Sequence, residues 1–376
     1  MNRIIYMYPQ WHTVSFTVVA KHHINELRKY VEIYEMDELA IKNVEHFSAW
    51  GKGKRMLLHP IFYPLTDNNI INIRKAHKIR EICDKLGGFE VADSNRISQH
   101  AVEVANMFDL IMLPSTYSKL AYESSGVETP CEVVPHGVSR TFMKYDKTIH
   151  SRTCKELAKL KTNRNLVYVL YFLLHSGWRK GADLVYQVMK QIQSKYRNVV
   201  LVVKRADIID PWIIKLRELK MIEIAKWMNE QELVELYDIC DIFISFSRGG
   251  GFELNSIEAL ARGIPTIVPN DGCYLDYSKY AITVEIERHI KLWYDNPIHI
   301  GDGFEISIQD AVRKLTEVID HLEEYREKFW KQKEEIWRIY NWERTGKLIF
   351  ENLRKYGFID MKKSRIFKEK EITINL

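Results

Sequence analysis

The chain has 376 residues, more than a single hydrophobic core usually supports, so two domains are expected. A hydrophobic share of 46% can fill two cores, and 55 basic against 50 acidic residues leave a charge of +5, which favours anionic ligands without demanding nucleic acid. Cys83, Cys131, Cys154, Cys240 and Cys273 are scattered and never form a CxxC pair, which speaks against a zinc site and for a reducing compartment.

The opening MNRIIYMYPQWH is interrupted too early for a signal-peptide core, and the apolar run Leu166 to Leu174 falls short of the roughly 20 residues of a membrane helix. A cytoplasmic location is expected. Short apolar runs at Arg3 to Tyr8, Arg55 to His59, Asp109 to Pro114 and Cys131 to Pro135 predict strands separated by helical stretches. A second series follows at Leu166 to Leu174, Val199 to Lys204, Asp241 to Phe246, Ile264 to Val268 and Ala281 to Glu285. The fold class is therefore α/β, with two doubly wound parallel-sheet units. Residues 1–143 are assigned to the first domain, 144–165 to a polar, lysine-rich linker, 166–340 to the second domain, and 341–376 to a crossing helix with a charged tail.

From Asn68 to Leu86, apolar residues recur every three or four positions, which predicts one long amphipathic helix. Its other side carries Arg74, Lys75, Lys78, Arg80 and Lys85, a solvated face that could also meet an anionic membrane surface. Beyond Ser307 the chain reads as helical to about Tyr356, with a break near Tyr340 to Trp342. That break lets the last helix return to the first domain.

Ligands of open parallel sheets sit at the carboxyl ends of strands, which selects four loops. Tyr8 to Ser15 holds His12 and Ser15, candidate acceptor or nucleotide contacts together with Arg96, and Asp93 lies in the second loop. Asp93 also reads as a helix N-cap. In HSGWRKG, from His175 to Gly181, Arg179 and Lys180 place positive charge at a helix start, where it suits a diphosphate; Lys204 is a similar strand-end candidate. The fourth loop, SRGGGFELNSIEALARGIPTIV, runs three glycines into a helix carrying Glu258. Glycines allow close backbone approach to a ligand, and helix N–H groups attract anions. Asn255 with Glu258 equally fits a capping box.

Phe252, Leu254, Glu258, Ala259, Ala261, Gly263 and Pro265, with Lys180–Gly181 and the run Pro135 to Val138, resemble the signature of the retaining glycosyltransferases of family 4. The resemblance covers most of the chain. It implies the GT-B fold, two Rossmann-like domains facing across a cleft, and hexosyl transfer from a nucleotide diphosphate sugar to a saccharide, lipid or protein hydroxyl with retention. No cofactor and no obligatory metal are implied. By the same resemblance Glu258 holds the ribose, Lys180 with Arg179 the diphosphate, and Gly250, Gly251, Phe252, Glu253 and Leu254 the donor phosphate and sugar, while Asp93 lies near the reacting sugar.

The chain departs from the signature where it matters chemically. The first of the family's paired acids falls at Gly250, and the glycine after Phe252 is Glu253; an arginine before the Lys–Gly pair is missing, with Arg179 or His175 as substitutes. Either Glu253 supplies the carboxylate from a shifted position or the donor-sugar contact is lost. An inactive nucleotide-sugar-binding protein of the same fold and a DNA-glucosylating enzyme are the competing readings. No GxGxxG follows a predicted strand, which disfavours a dehydrogenase.

Overall fold

The computed structural model describes residues 3–11, 14–41, 53–145, 148–174, 176–205 and 210–359. His12, His175 and the charged tail lie outside the described residues.

Two six-stranded sheets, each wholly parallel, carry the chain. The first runs edge to edge as Glu32–Asp37, Arg3–Tyr8, Lys54–Leu58, Cys83–Phe89, Leu110–Leu113 and Cys131–Val133. The second runs as Met221–Ala225, Val199–Arg205, Val167–Leu173, Ile242–Ile244, Thr266–Pro269 and Ile282–Val284. The central strands are mostly apolar, Val199–Arg205 being buried at every position and apolar as far as Val203, because helices cover both faces of a parallel sheet. The fold is the two-domain α/β arrangement expected from the sequence.

Strand order places the ligand sites. Sequence order reverses between Arg3–Tyr8 and Lys54–Leu58 in the first sheet, and between Val167–Leu173 and Ile242–Ile244 in the second. Connections leave such neighbouring strands toward opposite faces, which opens a crevice at their carboxyl ends. The two crevices face each other. A Cβ on Gly249 would collide with the Asp93 carbonyl and one on Gly251 with Val91, while Ser98 Oγ donates to the Pro297 carbonyl at 2.6 Å.

The helix Trp342–Lys355 crosses back onto the first domain, where Ile349 and Leu353 join Ile24 and Leu27 of the helix Ser15–Leu27 in one core. Gly137 lets the two inter-domain passages touch, since any side chain there would strike the Asn341–Trp342 backbone; the next residue, Val138, takes its N–H to Tyr340 O at 3.0 Å. The residues 144–165 include a helix, Arg152–Arg164, with Cys154 and Leu157 packed into the second core.

The predicted helix from Asn68 to Leu86 is corrected. Only Ile73–Ile82 is helical, and Cys83–Phe89 becomes a central strand of the first sheet. Two residues of its basic face are ion-paired, Lys75 with Asp67 at 2.5 Å and Arg80 with Asp109 at 2.7 Å, while Arg74 is exposed. No helix among the described residues is long and apolar enough to cross a membrane, and all five cysteines are buried thiols.

Where the helix Ser15–Leu27 meets the first sheet, Tyr6 Oη lies 3.0 Å from His23 Nδ1 and 2.7 Å from His59 Nδ1. One hydroxyl can donate to only one of them, so the two imidazoles have opposite tautomers. Burial drives both well below the usual imidazole range, and His136, 6.1 Å from His23 between ring centres, is lowered to about 3. All three are neutral in the fold but protonate near pH 6.5 once unfolded, so stability is complete above that value and declines below it. The decline should approach roughly 1.4 kcal/mol per pH unit for each histidine. Buried Glu258 and Glu90 act with the opposite sign over the same range, so the histidine part is read as a difference: the fall in melting temperature from pH 7 to pH 5 should be smaller in His136→Phe than in the wild type, and an equal fall in both would contradict this.

Candidate active site

The second sheet's crevice is built by the loops after Val167–Leu173 and Ile242–Ile244. Gly181, in left-handed backbone at φ 73°, lies against the Phe246 carbonyl, where a Cβ would collide. The two loops are stitched at this point: Arg248 N–H donates to Arg179 O at 2.7 Å, and Arg179 Nη1 donates to Gly249 O at 2.9 Å. Arg248 is fully buried and paired with Asp183 at 2.7 Å and Glu305 at 2.6 Å, its guanidinium 4.5 Å from the Trp178 ring centre. Sequence reasoning missed this anchor. An arginine beside three glycines gives no signal of burial without the two distant acids.

Lys180 points into the crevice and meets Glu253, Nζ to Oε1 at 2.5 Å. Glu253 begins the helix Leu254–Ala261 in left-handed backbone, φ 59° and ψ 63°, a conformation that costs a non-glycine residue on the order of 1 kcal/mol or more. The helix start turns its carboxylate back, so that a Cβ on Gly250 would collide with Glu253 Oε1. The space a side chain at 250 would need is filled by the acid of residue 253.

Gly249 admits the first domain's backbone at Asp93, Gly251 admits the Val91 side chain, and Gly250 admits the Glu253 carboxylate. Three glycines here close an inter-domain seam as well as a loop.

Glu258 does not form the capping box with Asn255. Its Oε2 accepts from Tyr237 Oη at 2.8 Å, and the helix is entered through Glu253 with no side-chain cap. Burial pushes the Glu258 carboxyl up to about 8, against the lowering effect of the Tyr237 hydroxyl. Asn255, one helical turn earlier, lines the same crevice as Lys180 and Glu253, a cavity of about 30 Å³. Such a space holds little more than a water-sized group, so a larger ligand requires the loops to part.

The remaining candidates divide. Asp93 is not an N-cap: Ser98 caps the helix Gln99–Ala105, accepting the Ala101 N–H at 3.2 Å, because the extended stretch 94–97 intervenes. Asp93 instead faces Arg179 across the seam, 3.4 Å from Nη1. Arg179 is only 7% exposed; its Nη1 serves the contacts with Gly249 and Asp93, while its buried Nε has no hydrogen-bond partner among the described residues. Lys204 is buried and donates to Arg205 O at 2.9 Å, away from the Lys180–Glu253 contact. Ser15 and Arg96 are exposed and line neither crevice. Phe252 is buried, its ring 4.9 Å from His136.

Residues 157–284 match the sequence model of the family described as "Glycosyl transferases group 1". The chain is 30% identical over 364 residues to "Uncharacterized protein 356" of Sulfolobus islandicus rod-shaped virus 1, covering 94% of this chain and 99% of that one. Residues 157–284 are thus a group 1 glycosyltransferase domain. A "Putative glycosyltransferase 45" of a Sulfolobus islandicus filamentous virus is 28% identical over 234 residues, 60% of this glycosyltransferase and 61% of the relative. Among solved structures, Anabaena HepE in complex with UDP and glucose superposes with a TM-score of 0.67 at 13% identity, covering 94% and 99% of the two chains. A UDP-forming trehalose-phosphate synthase from Burkholderia xenovorans gives 0.65 at 9% identity, covering 95% and 99%. These likenesses establish the GT-B fold of the glycosyltransferase.

Proposed function

We propose that this glycosyltransferase moves a hexosyl unit from a nucleoside diphosphate sugar to a hydroxyl acceptor with retention at the anomeric carbon, as in family 4, and without a metal ion. UDP in the HepE complex supports uridine as the nucleotide. In the transfer, the acceptor oxygen bonds to the anomeric carbon, the bond from that carbon to the diphosphate breaks, and the hydroxyl proton ends on the departing nucleotide. Stabilising the developing negative charge is the main demand on the protein. Lys180 is positioned for it, and Glu258 is positioned for the ribose hydroxyls. Arg179, Gly251 and Leu254 shape the loops around the phosphates, and Asp93 lies where the acceptor would approach.

One observation carries the active reading over that of a disabled sugar-binding protein. A Cβ on Gly250 would collide with Glu253 Oε1, so the Glu253 carboxylate and a side chain at position 250, where the family signature carries its acid, would compete for the same space. On this reading the acid has shifted three residues along the chain and acts from beside Lys180, with which Glu253 pairs.

Glu253→Gly alone should therefore reduce turnover by roughly a hundredfold or more, as expected for losing one preorganised polar contact to the transition state. Gly250→Glu alone crowds two carboxylates. The double variant Gly250→Glu/Glu253→Gly should recover a large part of the rate. Full activity in Glu253→Gly, measured as nucleotide release per folded molecule, would overturn the assignment.

A further inference from the structure

The other crevice, at the order reversal of the first sheet, holds a cavity of about 610 Å³, within the range of small-molecule sites. Trp11 and Tyr63 stand at it, 57% and 44% exposed, although rings of this size are usually covered. Trp11 is held in place all the same: its indole Nε1 donates to Glu38 Oε1 at 2.9 Å. An exposed ring pinned from its edge is a platform for a flat, partly apolar group.

The polar lining combines neutral Thr66, Asn69, Asn296 and His299 with four acids, of which Glu90 is pushed by burial up to about 7. Glu38, Asp67, Glu90 and Asp93 line the cavity, and among the described residues no lysine or arginine does. Two of these acids are paired with cations that do not themselves line the cavity, Asp67 with Lys75 at 2.5 Å and Asp93 with Arg179 at 3.4 Å. Carboxylates accept hydrogen bonds strongly from hydroxyls and repel phosphate or carboxylate groups. Asp93 also joins this cavity to the donor loops, since Gly249 lies against its carbonyl.

We infer that this cavity binds the acceptor, and that the acceptor is an uncharged saccharide, its C–H face on Trp11 and Tyr63 and its hydroxyls on the surrounding carboxylates. A sugar phosphate, a uronate or an anionic lipid headgroup is excluded by the same groups. This rests on the glycosyltransferase reading for its chemistry, but binding can be measured apart from it.

The test is a glycan array carrying neutral, phosphorylated, uronate-containing and sialylated saccharides, read with and without UDP, for the wild type and for Trp11→Ala and Tyr63→Ala. Both side chains are exposed enough that the variants should fold. Signal should fall on neutral glycans only, and each variant should weaken it about tenfold or more while leaving UDP affinity by calorimetry unchanged. A preference for acidic saccharides, no glycan bound, or variants that bind neutral glycans as tightly as the wild type would overturn the inference. A wild type that binds neutral glycans but no UDP would leave this inference standing and strike the donor reading instead.

Discussion

Lys180→Ala is expected to lower turnover by roughly a hundredfold to a thousandfold while the melting temperature falls by only a few degrees. The side chain is the cation that enters the second sheet's crevice, and it is held there by Glu253 at 2.5 Å. Its contribution grows when the diphosphate takes on charge in the transition state, whereas in the resting protein it neutralises one acid. Removing it leaves Glu253 without that partner. The pair is partly reached by solvent, Lys180 being 22% exposed at its side chain, so the cost falls below the roughly 3–5 kcal/mol of a fully buried pair. Rates normalised to folded protein separate the two effects. A collapse in melting temperature with normal activity per folded molecule would show that the lysine is structural.

Glu258→Ala should weaken nucleotide binding by roughly a hundredfold, the scale of one or two charge-assisted hydrogen bonds lost at 1.4 kcal/mol per tenfold. Stability should suffer less, because Tyr237 Oη retains the Asn255 carbonyl at 3.1 Å. The pH dependence sharpens the test. With its carboxyl raised to about 8, Glu258 is protonated in the free protein at neutral pH. Ribose hydroxyls that donate to it favour the ionised form, so affinity should rise with pH up to about 8. The Glu258 contribution to the stability of the free protein runs the other way and opposes that of the buried histidines: the folded state holds this proton longer than the unfolded state, so this contribution falls as pH rises from about 4.5 and levels off above 8. Unchanged affinity in Glu258→Ala, measured by calorimetry, would remove the residue from the nucleotide site.

The two-sheet architecture was readable because buried parallel strands are continuous apolar runs. Arg3–Tyr8 matches its predicted span at both ends, and Leu166 to Leu174 is trimmed by one residue at each. Cys83–Phe89 was hidden for a physical reason. Ile79, Ile82, Cys83 and Leu86 continue the helical spacing, and the strand has no β-branched residue to announce it. Gly87 and Gly88 sit in it because Leu57 and Phe358 press on the first and Ile61 and Phe108 on the second, contacts that only the folded chain creates. Glu32–Asp37 and Met221–Ala225 are edge strands with exposed positions, so their composition is mixed.

At the site, motif positions gave Lys180, Glu253 and Glu258 but not their partners. Local spacing suggested that Asn255 caps the helix and serves Glu258, whereas Tyr237, 21 residues earlier, takes that carboxylate. Arg248 and the platform of Trp11 depend on acids brought from distant parts of the chain. No local pattern encodes such meetings.

The central claim is transfer from a nucleotide sugar with retention, and the most direct measurement is NMR of the anomeric proton in product formed from UDP-glucose and related donors. The account predicts turnover by the wild type, product with the anomeric configuration of the donor, and a rate at least about a hundredfold lower in Glu253→Gln. Inverted product, or a protein that binds the donor and never turns it over, would contradict it.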